Sequence, residues 1–92
     1  MVLEKSDTDI LEKFKISEQS AQTSDDYVKL ARKMLNTINE NQGYSKEIST
    51  RIKLWASNLY YTAGDLIIDE TGNQIKSWEY WQLSDKLKEE GL

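Results

Sequence analysis

Apolar positions along the chain keep a helical spacing in three places and lose it in a fourth. Ile10, Leu11 and Phe14 form a narrow stripe behind Ser6, Asp7 and Asp9, residue types that cap helices and complement the helix dipole at its start. This predicts a short opening helix of about two or three turns, fading into a polar loop over Ser17-Glu18-Gln19-Ser20-Ala21-Gln22-Thr23. The clearest pattern follows. Tyr27, Leu30, Ala31, Met34, Leu35 and Ile38 recur at i, i+3, i+4, i+7, i+8 and i+11, one face of an amphipathic helix. Ser24 is its expected N-cap, with Asp25 and Asp26 in the first turn. The Asn39–Gly43 stretch is expected to end it, with Gly43 as a left-handed stop.

A third helix is expected from Ser45, with Glu47 in its first turn and Ile48, Ile52, Trp55, Ala56, Leu59, Tyr60 and Ala63 as its stripe. Gly64 is expected to end it. Leu54 and Tyr61 lie off that stripe, so they meet a second partner surface or stand as exposed singles. Beyond Gly64 the period changes. Leu66-Ile67-Ile68 and Gln74-Ile75-Lys76 flank Asp69-Glu70-Thr71-Gly72-Asn73, and two short β-capable runs around turn residues read as a hairpin. The rival reading is a fourth helix capped by Thr71. Ser77 is expected to cap a last helix ended by Gly91. In it Tyr80, Leu83, Ser84 and Leu87 share one face and Trp78 and Trp81 another. The expected fold is mainly α: one domain over residues 1–92, a small bundle of three main helices with a short hairpin or extended segment and a C-terminal helix. The expected core comprises Leu11, Phe14, Leu30, Ala31, Met34, Leu35, Ile38, Ile48, Ile52, Trp55, Leu59 and Tyr60.

Composition narrows the chemistry. The 92 residues include no cysteine, histidine or proline, which leaves no thiolate nucleophile, zinc finger, disulfide or histidine base. No Ser or Thr stands beside a plausible base, and Gly64 and Gly72 form no phosphate-binding loop. The carboxylate pair Asp25/Asp26 reads as helix capping. Asp69–Asn73 lacks the alternating oxygen ligands of a calcium loop. No catalytic, cofactor-binding or metal residues are therefore expected, and no enzyme. No apolar run approaches the ~20 residues of a spanning helix, so membrane insertion is not expected, nor is a secretory leader.

The formal net charge of −4 is unevenly laid out. Residues 1–26 and 65–92 each carry seven acids against three lysines, while residues 27–64 carry six bases against Glu40 and Glu47. Acidic ends can fold over the basic middle, or neighbouring copies can complement one another head to tail. Specific nucleic-acid binding is not expected, because no basic cluster is denser than Arg32-Lys33 and acidic flanks oppose phosphate. The aromatic run Trp78-Glu79-Tyr80-Trp81 stands out, since neighbours on a helix diverge by about 100° and cannot all face one core. Trp and Tyr are frequent interface anchors. Leu54, Tyr61, Trp78, Tyr80 and Trp81 are the candidate protein-interface residues.

Asp9-Ile10-Leu11-Glu12-Lys13-Phe14-Lys15-Ile16, then Ser24-Asp25-Asp26-Tyr27-Val28-Lys29-Leu30-Ala31, then Ile52-Lys53-Leu54-Trp55-Ala56-Ser57-Asn58-Leu59-Tyr60-Tyr61 form an order of segments over roughly residues 8–68 that resembles the head–tail connector (head-completion adaptor) proteins of tailed bacteriophages. That resemblance implies a virion structural protein: a homo-oligomeric ring below the portal, contacting portal and tail proteins, through which DNA passes, with a loop or hairpin after the third helix. Ser45 stands where members often carry proline, and Tyr61-Thr62-Ala63-Gly64 where they often carry an Arg-Glu type ending. The stretch from Arg51 to Ala63, with Leu59-Tyr60-Tyr61-Thr62-Ala63, also resembles the third helix of bacteriocin immunity proteins of lactic acid bacteria. This second resemblance implies a monomeric cytoplasmic bundle that binds a membrane receptor complex, and it requires residues 70–90 to form one long fourth helix. A small acidic phage inhibitor that mimics nucleic acid fits the net charge but not the basic middle.

Overall fold

A computed structural model describes residues 5–40 and 44–91, which form four helices: α1 (Lys5–Ser20), α2 (Ser24–Glu40), α3 (Lys46–Thr71) and α4 (Gln74–Gly91). Among the described residues there is no strand. α1 is longer than its apolar stripe: Ser6, Asp7 and Asp9 lie inside it, and Ser17–Ser20, expected as loop, are helical. The expected stop at Gly43 lies outside the described residues.

The connections show why each helix starts where it does. α2 is capped one residue earlier than expected. The Thr23 hydroxyl accepts the Asp26 N–H at 3.2 Å, and the Asp26 carboxylate accepts the N–H of Thr23 at 3.2 Å and of Gln22 at 3.0 Å, a reciprocal capping box. Ser24 bonds elsewhere, its N–H and hydroxyl donating to the Glu70 carboxylate at 2.8 and 2.6 Å. That carboxylate, from the last turn of α3, satisfies a first-turn amide of α2 and sits at the positive end of the α2 dipole. α3 starts as expected, with the Ser45 hydroxyl accepting from the Ile48 N–H at 3.2 Å.

Backbone amides also hold Asp26. The N–H groups of Gln22 and Thr23 are the main reason its pKa lies below the usual carboxylate value, with the Thr23 hydroxyl and Lys29 acting the same way. A carboxyl depressed in the folded state adds stability above its unfolded pKa and loses it as pH falls through the folded one. Asp26→Asn is therefore expected to be less stable than the parent at neutral pH. The gap should close as urea melts are repeated below the ordinary carboxylate range. A pH-independent gap would count against this role.

The core lies where α3 meets α2 on one side and α4 on the other. Phe14, Val28, Leu30, Ala31, Met34, Ile38, Ile48, Ile52, Ala56, Leu59, Tyr60, Ala63, Ile67, Tyr80 and Leu87 are buried, with Leu11, Leu35 and Trp55 packed partly against them. α1 joins the core through buried Phe14, which meets Trp55 edge to face at 6.3 Å, through Ile10 and Leu11, and through Glu18, which accepts from the Trp55 indole.

Residues 65–77 correct the largest expectation. They form no hairpin. α3 runs through Gly64 to Thr71, because Ile67 continues the stripe of Tyr60 and Ala63 and is buried with them. The stop is Gly72, in the left-handed region at φ 71°, with its N–H donating to the Ile68 carbonyl at 2.8 Å. Asn73 then caps α4, its side chain accepting the Lys76 N–H at 3.0 Å. The turn residues over 71–73 thus stop one helix and start the next. Neither Thr71 nor Ser77 is a cap: Thr71 closes α3, and Ser77 is fully buried inside α4.

Candidate interaction surface

The surface is set by how α3 and α4 close on each other as an antiparallel pair. Small residues let the backbones approach. The Ser57 hydroxyl donates to the Ser84 carbonyl at 2.7 Å and lies 3.0 Å from the Ser84 hydroxyl, and the Ser77 hydroxyl donates to the Gly64 carbonyl at 2.7 Å. These hydroxyls are satisfied within a buried seam. At Gly64 the approach is closest: a Cβ there would lie 2.5 Å from the Trp81 ring and 3.0 Å from the Ser77 carbonyl. Gly64, expected to break a helix, instead makes room for an indole.

That room determines which aromatics remain outside. Trp81 is half-buried over Gly64, its ring stacked on Tyr61 at 6.0 Å and 29°, its Nε1 donating to the Tyr61 carbonyl at 3.3 Å. Tyr80 turns the other way, into the core against Tyr60 at 6.3 Å. Trp78 makes neither contact and is 60% exposed; Tyr61 is 54% exposed. Of the five candidate interface residues, Tyr61 and Trp81 thus come together, Trp78 is exposed one turn before Trp81 on α4, Leu54 is half-buried two turns earlier on α3, and Tyr80 has its ring in the core. Sequence reasoning passed over Ile75, which is 74% exposed one turn before Trp78. Its place in the supposed hairpin hid that neighbourhood. Leu83, expected to share a face with Tyr80, Ser84 and Leu87, is exposed on the flank away from Trp78 while those three are buried.

Elsewhere the surface offers shallow open grooves. One of about 410 Å³ between α1 and α2 is lined by Ile16, Ala21, Leu30, Lys29 and Lys33; another of about 460 Å³ is lined by Leu11, Lys15, Arg51 and Trp55. Three of the paired carboxylates have partners: Asp26 in the capping box, Glu70 with Ser24 across the bundle, and Asp25 with Lys29 at 2.8 Å on the same helix. That last contact also raises the Lys29 pKa. It is the one ion pair among the described residues, and it joins two exposed side chains of a single helix. No helix among the described residues is long and apolar enough to cross a membrane. Compared with known protein families, curated proteins and solved structures, the chain matches none.

Proposed function

We propose that this chain is a protein-binding helical bundle that docks a partner on the face formed by Tyr61, Trp78 and Trp81. The observation that carries this reading is the exposed Tyr61 ring stacked on half-buried Trp81, with Trp78 exposed one turn before Trp81 and Ile75 exposed one turn before Trp78. Large aromatics contribute disproportionately to binding when a partner removes them from water. Between the two family resemblances, the continuous helix Gln74–Gly91 favours the immunity-protein type, which needs a long fourth helix. The connector type expects a loop or hairpin after the third helix, over residues 65–77, where α3 instead runs on to Thr71 and α4 follows from Gln74. The favoured reading is accordingly a monomeric, cytoplasmic bundle that engages a membrane receptor complex and carries out no bond chemistry.

One observation keeps the connector ring as a second reading. The sole ion pair among the described residues is local, so no such pair among them ties the acidic ends to the basic middle. Charge blocks of that kind can set the polarity of a head-to-tail ring on a phage virion.

Light scattering over a concentration series separates the two. A mass of one 10.7 kDa chain throughout is expected for the favoured reading, and closed rings for the connector. In either case Tyr61→Glu is expected to abolish association, of the tagged chain with membrane-receptor extracts or of the chain with itself, while the helical circular dichroism persists. Unchanged association in that variant would remove Tyr61 from the interface.

A further inference from the structure

We infer that the Tyr61–Trp78–Trp81 face takes a cationic partner: an Arg- or Lys-rich segment of another protein. The inference rests on the protein-binding reading above and adds the chemistry of the partner. At about 100° per residue, Trp78, Trp81, Gln82, Asp85 and Glu89 fall on one side of α4, with Lys86 and Lys88 at its two margins and Lys76 on the other side. Asp85 lies one turn beyond Trp81, and on α3 Asp65 lies one turn beyond Tyr61. All three carboxylates are exposed, and no ion pair among the described residues engages them. Lys86, which lines a groove with Gln82, and Lys88 are the cations of this side of α4, one at each margin. The face therefore presents aromatic rings bordered by unpaired acids.

Each part of that arrangement selects the same partner. Guanidinium and ammonium groups are attracted to the faces of indole and phenol rings, and Asp65 and Asp85 stand where they can receive the same groups. Exposed Ile75 offers contact for the apolar stems of Arg and Lys. An acidic segment, a nucleic acid or an anionic membrane would meet the like charge of Asp65, Asp85 and Glu89 beside the rings. A second copy offers cations scattered over all four helices, with no cluster denser than Arg32-Lys33.

The test uses the full chain and short labelled peptides that carry Arg on one helical face and Leu on the other, with Glu or Gln replacing Arg as controls. Anisotropy titrations are expected to show binding of the Arg peptide that weakens with added salt, and none of the Glu peptide. Trp78→Ala should weaken it about tenfold or more, and Asp65→Asn and Asp85→Asn about threefold each with a shallower salt dependence. Leu83→Ser, on the opposite flank, should leave it unchanged. Equal affinity for the Gln peptide would overturn the charge assignment while leaving the docking face in place. A larger species that Trp78→Ala dissolves would assign the face to a second copy and overturn the proposal. Absence of peptide binding would overturn it too; the broader reading would survive only if Tyr61→Glu still abolished association.

Discussion

Replacing Ile52 with alanine is expected to lower the free energy of unfolding by about 2–5 kcal/mol, the usual cost of emptying a fully buried aliphatic site. Ile52 has no exposed surface and stands on the α3 stripe at the centre of the bundle. A domain of this size has a total stability of the order of 5–15 kcal/mol, and a thin core puts this one toward the lower end. At roughly 4–8 °C per kcal/mol, the melting temperature falls by about 10 °C or more, and the variant is partly unfolded near body temperature. Ile75→Ala removes the same atoms from a side chain that is 74% exposed, and its expected cost is about 0.5 kcal/mol or less. Urea melts followed by circular dichroism give both values. Similar losses in the two variants would mean that α3 does not bury the face described.

Gly64→Val is the second large effect. The helix itself tolerates valine better than glycine by a few tenths of a kcal/mol, so a site in an open helix would be stabilised. Here the first added carbon would sit 2.5 Å from the Trp81 ring, with the Ser77 carbonyl at 3.0 Å behind it. Relief requires Trp81 to leave its stack on Tyr61 and α4 to move outward, which breaks the Ser77–Gly64 hydrogen bond. Overpacking of this kind costs about 1–3 kcal/mol and occasionally more. The expected result is a lowered denaturation midpoint accompanied by a change in tryptophan fluorescence, since the same substitution ejects an indole. A more stable variant with parental fluorescence would show that the helices do not close at Gly64. Combining Gly64→Val with Trp81→Ala should recover part of the loss, because the two positions share one space.

How much of this was legible in the sequence depends on how far each residue's role reaches. α2 and the start of α3 were readable because their signals are local: an unbroken i, i+3, i+4 stripe, and Ser45 bonding an amide three residues on. Every expected core residue is buried or packed against the core. Where the reading failed, the deciding partner was remote. Gly64 looked like a stop because its neighbours in sequence do not reveal the indole packed across from it. Ser24 looked like the cap because Glu70, which takes its hydroxyl, lies 46 residues away. Leu66-Ile67-Ile68 looked like a strand because a β-branched run beside turn residues carries that local preference. Packing of Ile67 beside Tyr60 and Ala63 overrode it.

The candidate surface followed the same rule. Its residue types were visible in the sequence, as aromatic side chains too crowded to share one core. Their sorting was not: Tyr80 goes inward with Ser77, Ser84 and Leu87, Trp81 covers the glycine, and Trp78 is left outward because that face of α4 closes on Ser57 and Gly64 of α3.

The three tryptophan indoles allow that arrangement to be tested directly. Trp55 donates its Nε1–H to Glu18 and Trp81 to the Tyr61 carbonyl, while Trp78 is exposed. Hydrogen exchange of the three indole resonances by NMR, assigned with Trp78→Phe, is the measurement of choice. Two slowly exchanging indoles and one fast one, the fast signal being that of Trp78, is the expected outcome. A protected Trp78, or a Trp81 as fast as Trp78, would contradict the packing of α4 on α3 and with it the face on which the function is proposed to rest.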